Sequence, residues 1–175
     1  LLNEPSAAGF EYAHRFRNTV TSKREYVLVY DLGGGTFDCS LIHMAGLVNE
    51  VLTSAGESRL GGDDFDEAIL ALALARLKKR PRLGEQARAQ ILDECRVQKE
   101  SIGPNTRRIV LDHEALGKEP LVLPVDAVYA ACTPVVERTM AALDEVMRDP
   151  RRAQDAVEWN ELAGLYVVGG ASSFP

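Results

Sequence analysis

The chain has 175 residues, 46% of them hydrophobic and 26% charged, with a formal net charge of −6. That length can bury a core as one domain or as two small lobes, and the acidic balance argues against a general nucleic-acid binder, because nothing offsets phosphate repulsion over the surface. Three cysteines (Cys39, Cys95, Cys132) and three histidines (His14, His43, His113) are too scattered for a zinc site, the odd thiol count suits a reducing, cytoplasmic compartment, and no stretch approaches a membrane span.

Pro5 suits the first turn of a short helix reaching about Phe16, with Ala7, Ala8, Phe10, Tyr12 and Ala13 as its apolar stripe. Arg15 to Glu25 is polar and predicts a surface connection. The apolar run Tyr26 to Tyr30 then ends in Asp31 and three glycines, followed by strand-like runs from Thr36 to Met44 and from Leu47 to Thr53. Strand, glycine turn, strand predicts a β-hairpin whose tip is all backbone. Glycines can take positive φ and turn successive N–H groups into one concave nest, which suits phosphate. An acid at the strand end can hold hydrated Mg²⁺, and a Thr hydroxyl can reach a phosphate oxygen. The plain alternative is a hairpin that merely turns; Asp31, Thr36 and Asp38 around the glycines favour the binding role.

Downstream, Asp63 or Asp64 predicts the N-cap of a helix to about Lys79, with Phe65, Ile69, Leu72, Ala73 and Leu77 on one face. Pro81 and Gly84 break it, and a second helix is predicted from Glu85 to Ile102 with Ala87, Ile91, Cys95, Gln98 and Ile102 in line. Arg108 to Leu111 and Pro120 to Leu123 read as two strands of a small sheet. Asp126 predicts the cap of a helical stretch to about Met147, kinked or divided at Pro134. A final buried strand, Leu165 to Val168, ends in Gly169-Gly170. The sequence contains no G-x-x-x-x-G-K-[ST] and no G-x-G-x-x-G opening a helix, so neither a P-loop nor a Rossmann site is supported.

Asp31-Leu-Gly-Gly-Gly-Thr-Phe-Asp38 resembles the second phosphate loop of the 70-kDa heat-shock chaperone family. Other family landmarks follow in order: Asn3-Glu-Pro-Ser-Ala-Ala8, Ala55-Gly-Glu-Ser-Arg-Leu-Gly-Gly-Asp-Asp-Phe-Asp66, and Val167-Val-Gly-Gly-Ala-Ser-Ser-Phe-Pro175. The resemblance covers nearly the whole chain. It implies an α/β fold, the second lobe of an actin-like (ribonuclease H-like) ATPase domain. An α+β subdomain from about 61 to 139 would be inserted in a sheet subdomain formed by 1–60 and 140–175. Gly56, Gly61 and Gly62 flank that junction and are hinge candidates.

The resemblance also implies ATP or ADP with Mg²⁺ as cofactors. Gly34, Gly35 and Thr36, in the same loop as Gly33, would contact the β- and γ-phosphates; Asp31 would hold Mg²⁺ through water; Asp38 and Glu4 would order metal and attacking water. Arg96, Lys99 and Gly103 on the second helix, with Gly169, Gly170, Ala171 and Ser173, would line the adenosine side. Arg96 stands where many members have Glu, Gly103 where they have Ser, and Ser173 at the usual Arg, which removes a stacking guanidinium. Weaker adenine binding than in a typical member is the expectation.

Leu1-Leu2-Asn3 without an initiator Met, and Pro175 just after a glycine pair, read as cuts through a longer protein. The resemblance then implies as partners the first lobe and peptide-binding domain of the parent, a nucleotide-exchange factor and a J-domain protein. A half-cleft cannot exclude water or clamp both ends of a triphosphate, so negligible hydrolysis is expected of this piece alone. The rivals are a degenerate pseudo-ATPase that only docks partners, and a sugar-kinase relative, against which Leu-Gly-Gly-Asp-Asp-Phe-Asp speaks.

Overall fold

The computed structural model describes residues 7, 11–12, 14–16, 19–21, 23–45, 48–147 and 156–175. It is a mixed α/β structure whose described residues form the strands β1 (Tyr26–Leu32), β2 (Phe37–Ala45), β3 (Val48–Glu57), β4 (Arg108–Leu111), β5 (Leu121–Pro124) and β6 (Leu162–Val168). Among the described residues they are accompanied by the helices α1 (Gly62–Arg76), α2 (Glu85–Glu100) and α3 (Val125–Val146). The strands form a four-stranded sheet in the order β3-β2-β1-β6 and a two-stranded sheet of β4 and β5.

Strand alternation assigns the two faces of the larger sheet. Leu28, Leu32, Phe37, Cys39 and Leu41 point into the main core with Phe65, Ile69, Ile91, Ile109, Leu123 and Leu143. Val27, Val29, Ile42 and Met44 point to the opposite face, where Tyr12 covers them. Tyr12 donates a hydrogen bond to the Ala163 carbonyl at 2.9 Å, tying that cover to β6. Period-two burial over both faces is the expected pattern for a central strand pair.

β1 and β2 pair antiparallel through the glycine turn, whereas β1 and β6 pair parallel. The parallel pairing has a geometric consequence. It carries the turn after β1 (Gly33 to Gly35) and the turn after β6 (Gly169-Gly170) to the same edge of the sheet, outside the carboxyl ends of both strands. Crevices at that edge are where open α/β sheets hold ligands.

Several expectations are corrected. α1 is capped at Gly61, not at Asp63 or Asp64; Asp64 sits inside the first turn and accepts the Gly61 N–H at 2.9 Å. β3 runs on to Glu57 because its last residues still pair with β2. α3 passes through Pro134 as one helix of 22 residues, and its N-cap is Pro124. Its buried stripe, Val128, Cys132, Val135 and Thr139, leaves Pro134 and Ala130 exposed. The carbonyl that the ring deprives of a donor thus lies on the solvent side, and Thr133 donates to the Tyr129 carbonyl at 3.0 Å one residue earlier. β6 is an edge strand, so Leu165 and Val167 are exposed rather than buried.

Candidate functional site

The hairpin tip is built from backbone, but not by positive φ. Among the described residues only Gly117 and Gly169 have positive φ, which corrects the expectation for Gly33 to Gly35. Gly33 N–H donates to the Thr36 carbonyl at 2.9 Å and closes the turn. The Gly33 carbonyl accepts from Gly62 N–H at 3.0 Å and the Gly34 carbonyl from Asp63 N–H at 2.7 Å. Both donors are first-turn amides of α1, which have no partner inside their own helix. The need for glycine lies at Gly61: a Cβ there would stand 2.7 Å from the Gly34 carbonyl group and from Gly35 N.

Asp31 and Asp38 face each other across the β1–β2 ladder. Asp38 pairs onward with Gly56 of β3, and Asp31 with Val168 of β6, just before Gly169. A Cβ on Gly56 would lie 2.5 Å from Asp38 Oδ1, and one on Gly169 would lie 2.6 Å from Asp31 Oδ1. The two glycines clear the space that the two carboxylates fill. A cavity of about 690 Å³ opens on this row, lined by Asp31, Asp38, Gly56 and Gly169 together with Glu11 and Ser40. Hard oxygen donors of this kind suit Mg²⁺, which takes one or two carboxylates and completes its shell with water and phosphate. Among the described residues no group of three or more His, Cys, Asp or Glu side chains converges on a metal position.

A second hollow of about 510 Å³ lies on the other side of the turns, lined by Gly34, Gly35, Arg96, Lys99, Gly170 and Ser173, with Asp63, Glu100 and Ala171 also on its wall. Its size is that of a small-molecule site. The sequence-predicted residues thus divide between two hollows, and Gly169 and Gly170, adjacent in the chain, open onto different ones. Thr36 is exposed at the hairpin end. Gly103 follows α2 in a turn closed by Thr106, whose N–H donates to its carbonyl at 3.0 Å, and it is not on the wall of either hollow. Glu4 lies outside the described residues.

The cations of the second hollow, Arg96 and Lys99, are already paired. Lys99 is 6% exposed; its ammonium donates to the Gly62 carbonyl at 2.8 Å and lies 2.7 Å from Asp66 Oδ1, an ion pair. Arg96 spans Asp63, at 3.1 Å, and Asp66, at 3.5 Å, from the exposed side. Burial raises the Asp66 carboxyl above its ordinary range, and Lys99 and then Arg96 pull it back. The carboxylates of Asp66 and Asp63 hold the Arg96 guanidinium above its ordinary value.

Asp66 is the residue that motif reading left without a role. Its spacing to Ile69, Leu70 and Ala73 places it on the buried face of α1, and Lys99 stands in the same register as Ile91 and Cys95 on α2. A charge of each sign on two apolar stripes is the signal that marks them as partners.

These features define a mixed α/β protein with glycine-lined hollows at the carboxyl edge of its main sheet. A model of the Hsp70 protein family matches residues 1–175, and the chain belongs to that family, which carries the actin-like ATPase fold. It is similar to a chaperone protein HscA homolog of Methylibium petroleiphilum, 33% identical over 175 residues that make up 100% of this chain and 26% of that protein. HscA homologs of Burkholderia thailandensis (36% over 179 residues, 27% of that protein) and Shewanella denitrificans (35% over 179 residues, 26%) also match along 100% of this chain. The chain spans about a quarter of the length of these curated relatives.

Proposed function

We propose that this chain supplies the second half of the nucleotide cleft in the ATPase domain of an Hsp70-type chaperone. The observation that carries the reading is the meeting of two glycine turns, after β1 and after β6, between an acidic hollow and a nucleoside-sized one. In this reading Gly34 and Gly35 hold phosphate through backbone N–H groups, with Gly33 and Thr36 completing the loop. Asp31 holds Mg²⁺ through water, while Asp38 and Glu4 order metal and water. When bound, Mg²⁺ would neutralise phosphate charge, and the protein would supply positioning. The nucleoside would lie among Arg96, Lys99, Gly170, Ala171 and Ser173, with Gly169 at the junction, and Gly103, which lines neither hollow, would stay outside the contact.

The same reading divides the chain into a sheet part, 1–60 with 140–175, and an inserted part, 61–139, hinged near Gly56, Gly61 and Gly62. ATP turnover that drives folding cycles belongs to the whole cytoplasmic protein, joined to a first lobe and a peptide-binding domain. A nucleotide-exchange factor and a J-domain protein are its proposed partners. Calorimetry of ADP against this chain, with and without Mg²⁺, tests the reading. Weak, Mg²⁺-assisted binding with negligible ATP turnover is expected; the absence of binding at millimolar ADP, both here and in the chain joined to its first lobe, would refute it.

One observation favours a second reading. Lys99 is committed to Asp66 and the Gly62 carbonyl, and Arg96 to two carboxylates, so the cations of the nucleoside hollow are spent on the fold. A pseudo-ATPase that docks partners without binding nucleotide would show this pattern, and the same calorimetry separates the two.

A further inference from the structure

The α1 amides do more than satisfy themselves on the hairpin. In a trans peptide the C=O and the following N–H point in opposite directions. With the Gly33 carbonyl held by Gly62 N–H and the Gly34 carbonyl held by Asp63 N–H, the N–H groups of Gly34 and Gly35 are turned to the side of the loop away from α1. Among the described residues neither N–H meets an acceptor. The positive end of the α1 dipole adjoins both carbonyls and favours this orientation over a flipped peptide.

Only a glycine at position 61 permits the approach, since a Cβ would press on the Gly34–Gly35 peptide itself at 2.7 Å. Gly61 is in turn held by its own N–H, which the Asp64 carboxylate accepts at 2.9 Å. Resting on the proposed phosphate role of the hairpin, we infer that Gly61 and the Asp64 cap are positioning residues. They seat the first turn of α1 against Gly33 and Gly34, and so aim two hairpin amides at the phosphates of a nucleoside diphosphate. The backbone alone does the aiming, which explains how the loop can present donors without positive φ.

The test compares ADP with adenosine, by calorimetry on the full chain. Gly61→Ala is expected to weaken ADP by about tenfold or more, as small misplacements at such sites do, while leaving adenosine within about twofold. Asp64→Ala is expected to weaken ADP in the same sense, and Asp64→Asn, which keeps an acceptor for Gly61 N–H, to restore it. A pure charge effect predicts the reverse for Asp64→Ala, since losing a negative charge would strengthen diphosphate binding. Parallel loss of ADP and adenosine, or unchanged ADP affinity in a folded Gly61→Ala protein, overturns the inference. Amide hydrogen exchange of Gly62 and Asp63 gives a readout without nucleotide: faster exchange in Gly61→Ala supports the seating, and unchanged protection overturns it. Should the parent chain bind no ADP, the nucleotide reading fails on its own, and the exchange data still decide whether Gly61 seats the hairpin.

Discussion

Asp31 and Asp38 are direct partners across the β1–β2 ladder, like charges on one face, each bordered by a glycine that leaves room for the carboxylate, Gly169 just past β6 and Gly56 on β3. Like charges placed opposite each other weaken a sheet by a few tenths of a kcal/mol up to about 1 kcal/mol. Such a conflict between sheet stability and side-chain choice is expected where a binding role outweighs it. Asp38→Asn should therefore raise the urea midpoint of the free chain while reducing the Mg²⁺-dependent gain in ADP affinity, the latter by about tenfold for Asp31→Asn. Denaturation curves and calorimetry with and without Mg²⁺ check both halves. A variant that lost stability and kept its Mg²⁺ response would assign the acids a purely structural role.

The paired glycines after β6 differ in what they tolerate. Gly169 has φ +89°, and a Cβ there would collide with the Leu32 carbonyl oxygen; Gly170 has nothing within 4 Å of its Cβ position. Gly169→Ala is expected to cost roughly 1–3 kcal/mol of stability through forced backbone strain, with the added collision on top. Gly170→Ala should stay near the parent. Equal midpoints for the two variants in chemical denaturation would contradict this placement of the turn.

The Lys99–Asp66 pair makes a pH-dependent prediction. Burial raises the Asp66 carboxyl, so ionising it works against the fold as pH climbs past the ordinary carboxylate value, and Lys99 is the largest offset. Lys99→Met removes that offset and leaves a buried carboxyl with Arg96 alone, at a cost of about 3–5 kcal/mol near neutral pH. With its folded pKa higher still, Asp66 is more readily neutral at mild acidity, and the deficit relative to the parent should shrink as pH falls from 7.5 to about 5. Midpoints measured across that range decide it; a deficit independent of pH would point to lost packing.

The three thiols are buried and unpaired, and burial pushes Cys39 and Cys132 up to about 11 and Cys95 to about 12. They should resist alkylation at pH 7.5 in the folded chain and react at once in denaturant, because only the thiolate attacks. An unfolded chain ionises them near 9.0, so stability is intact below that pH and falls as pH rises toward the folded values. Replacing Cys95 with Ala should flatten the alkaline limb of the stability curve. Rapid labelling of the native protein would show that these sites open.

Local chemistry made much of the chain legible. The run from Tyr26, the three glycines and the alternating residues after Thr36 specify a hairpin because strand period and turn residues are written over a few positions. The boundaries of β4 and the start of α2 follow for the same reason. Mistakes gathered where a partner far along the chain supplies the missing group. Asp63 and Asp64 are good caps by residue type, but α1 is capped at Gly61 because the hairpin carbonyls take its first amides. The partner of Lys99 was likewise hidden, because Asp66 stands on another helix.

By itself, then, the sequence determined the glycine turns, the acids around them and the apolar stripes of each helix, since these depend on residue type and short-range spacing. The parallel docking of β6 on β1, which sets Gly169 beside Asp31, and the seating of Gly61 on Gly34 were decided only by the tertiary structure. Both are backbone approaches between segments distant in the chain. Glycine permits such contacts, but nothing in its spacing names the partner that will use the space.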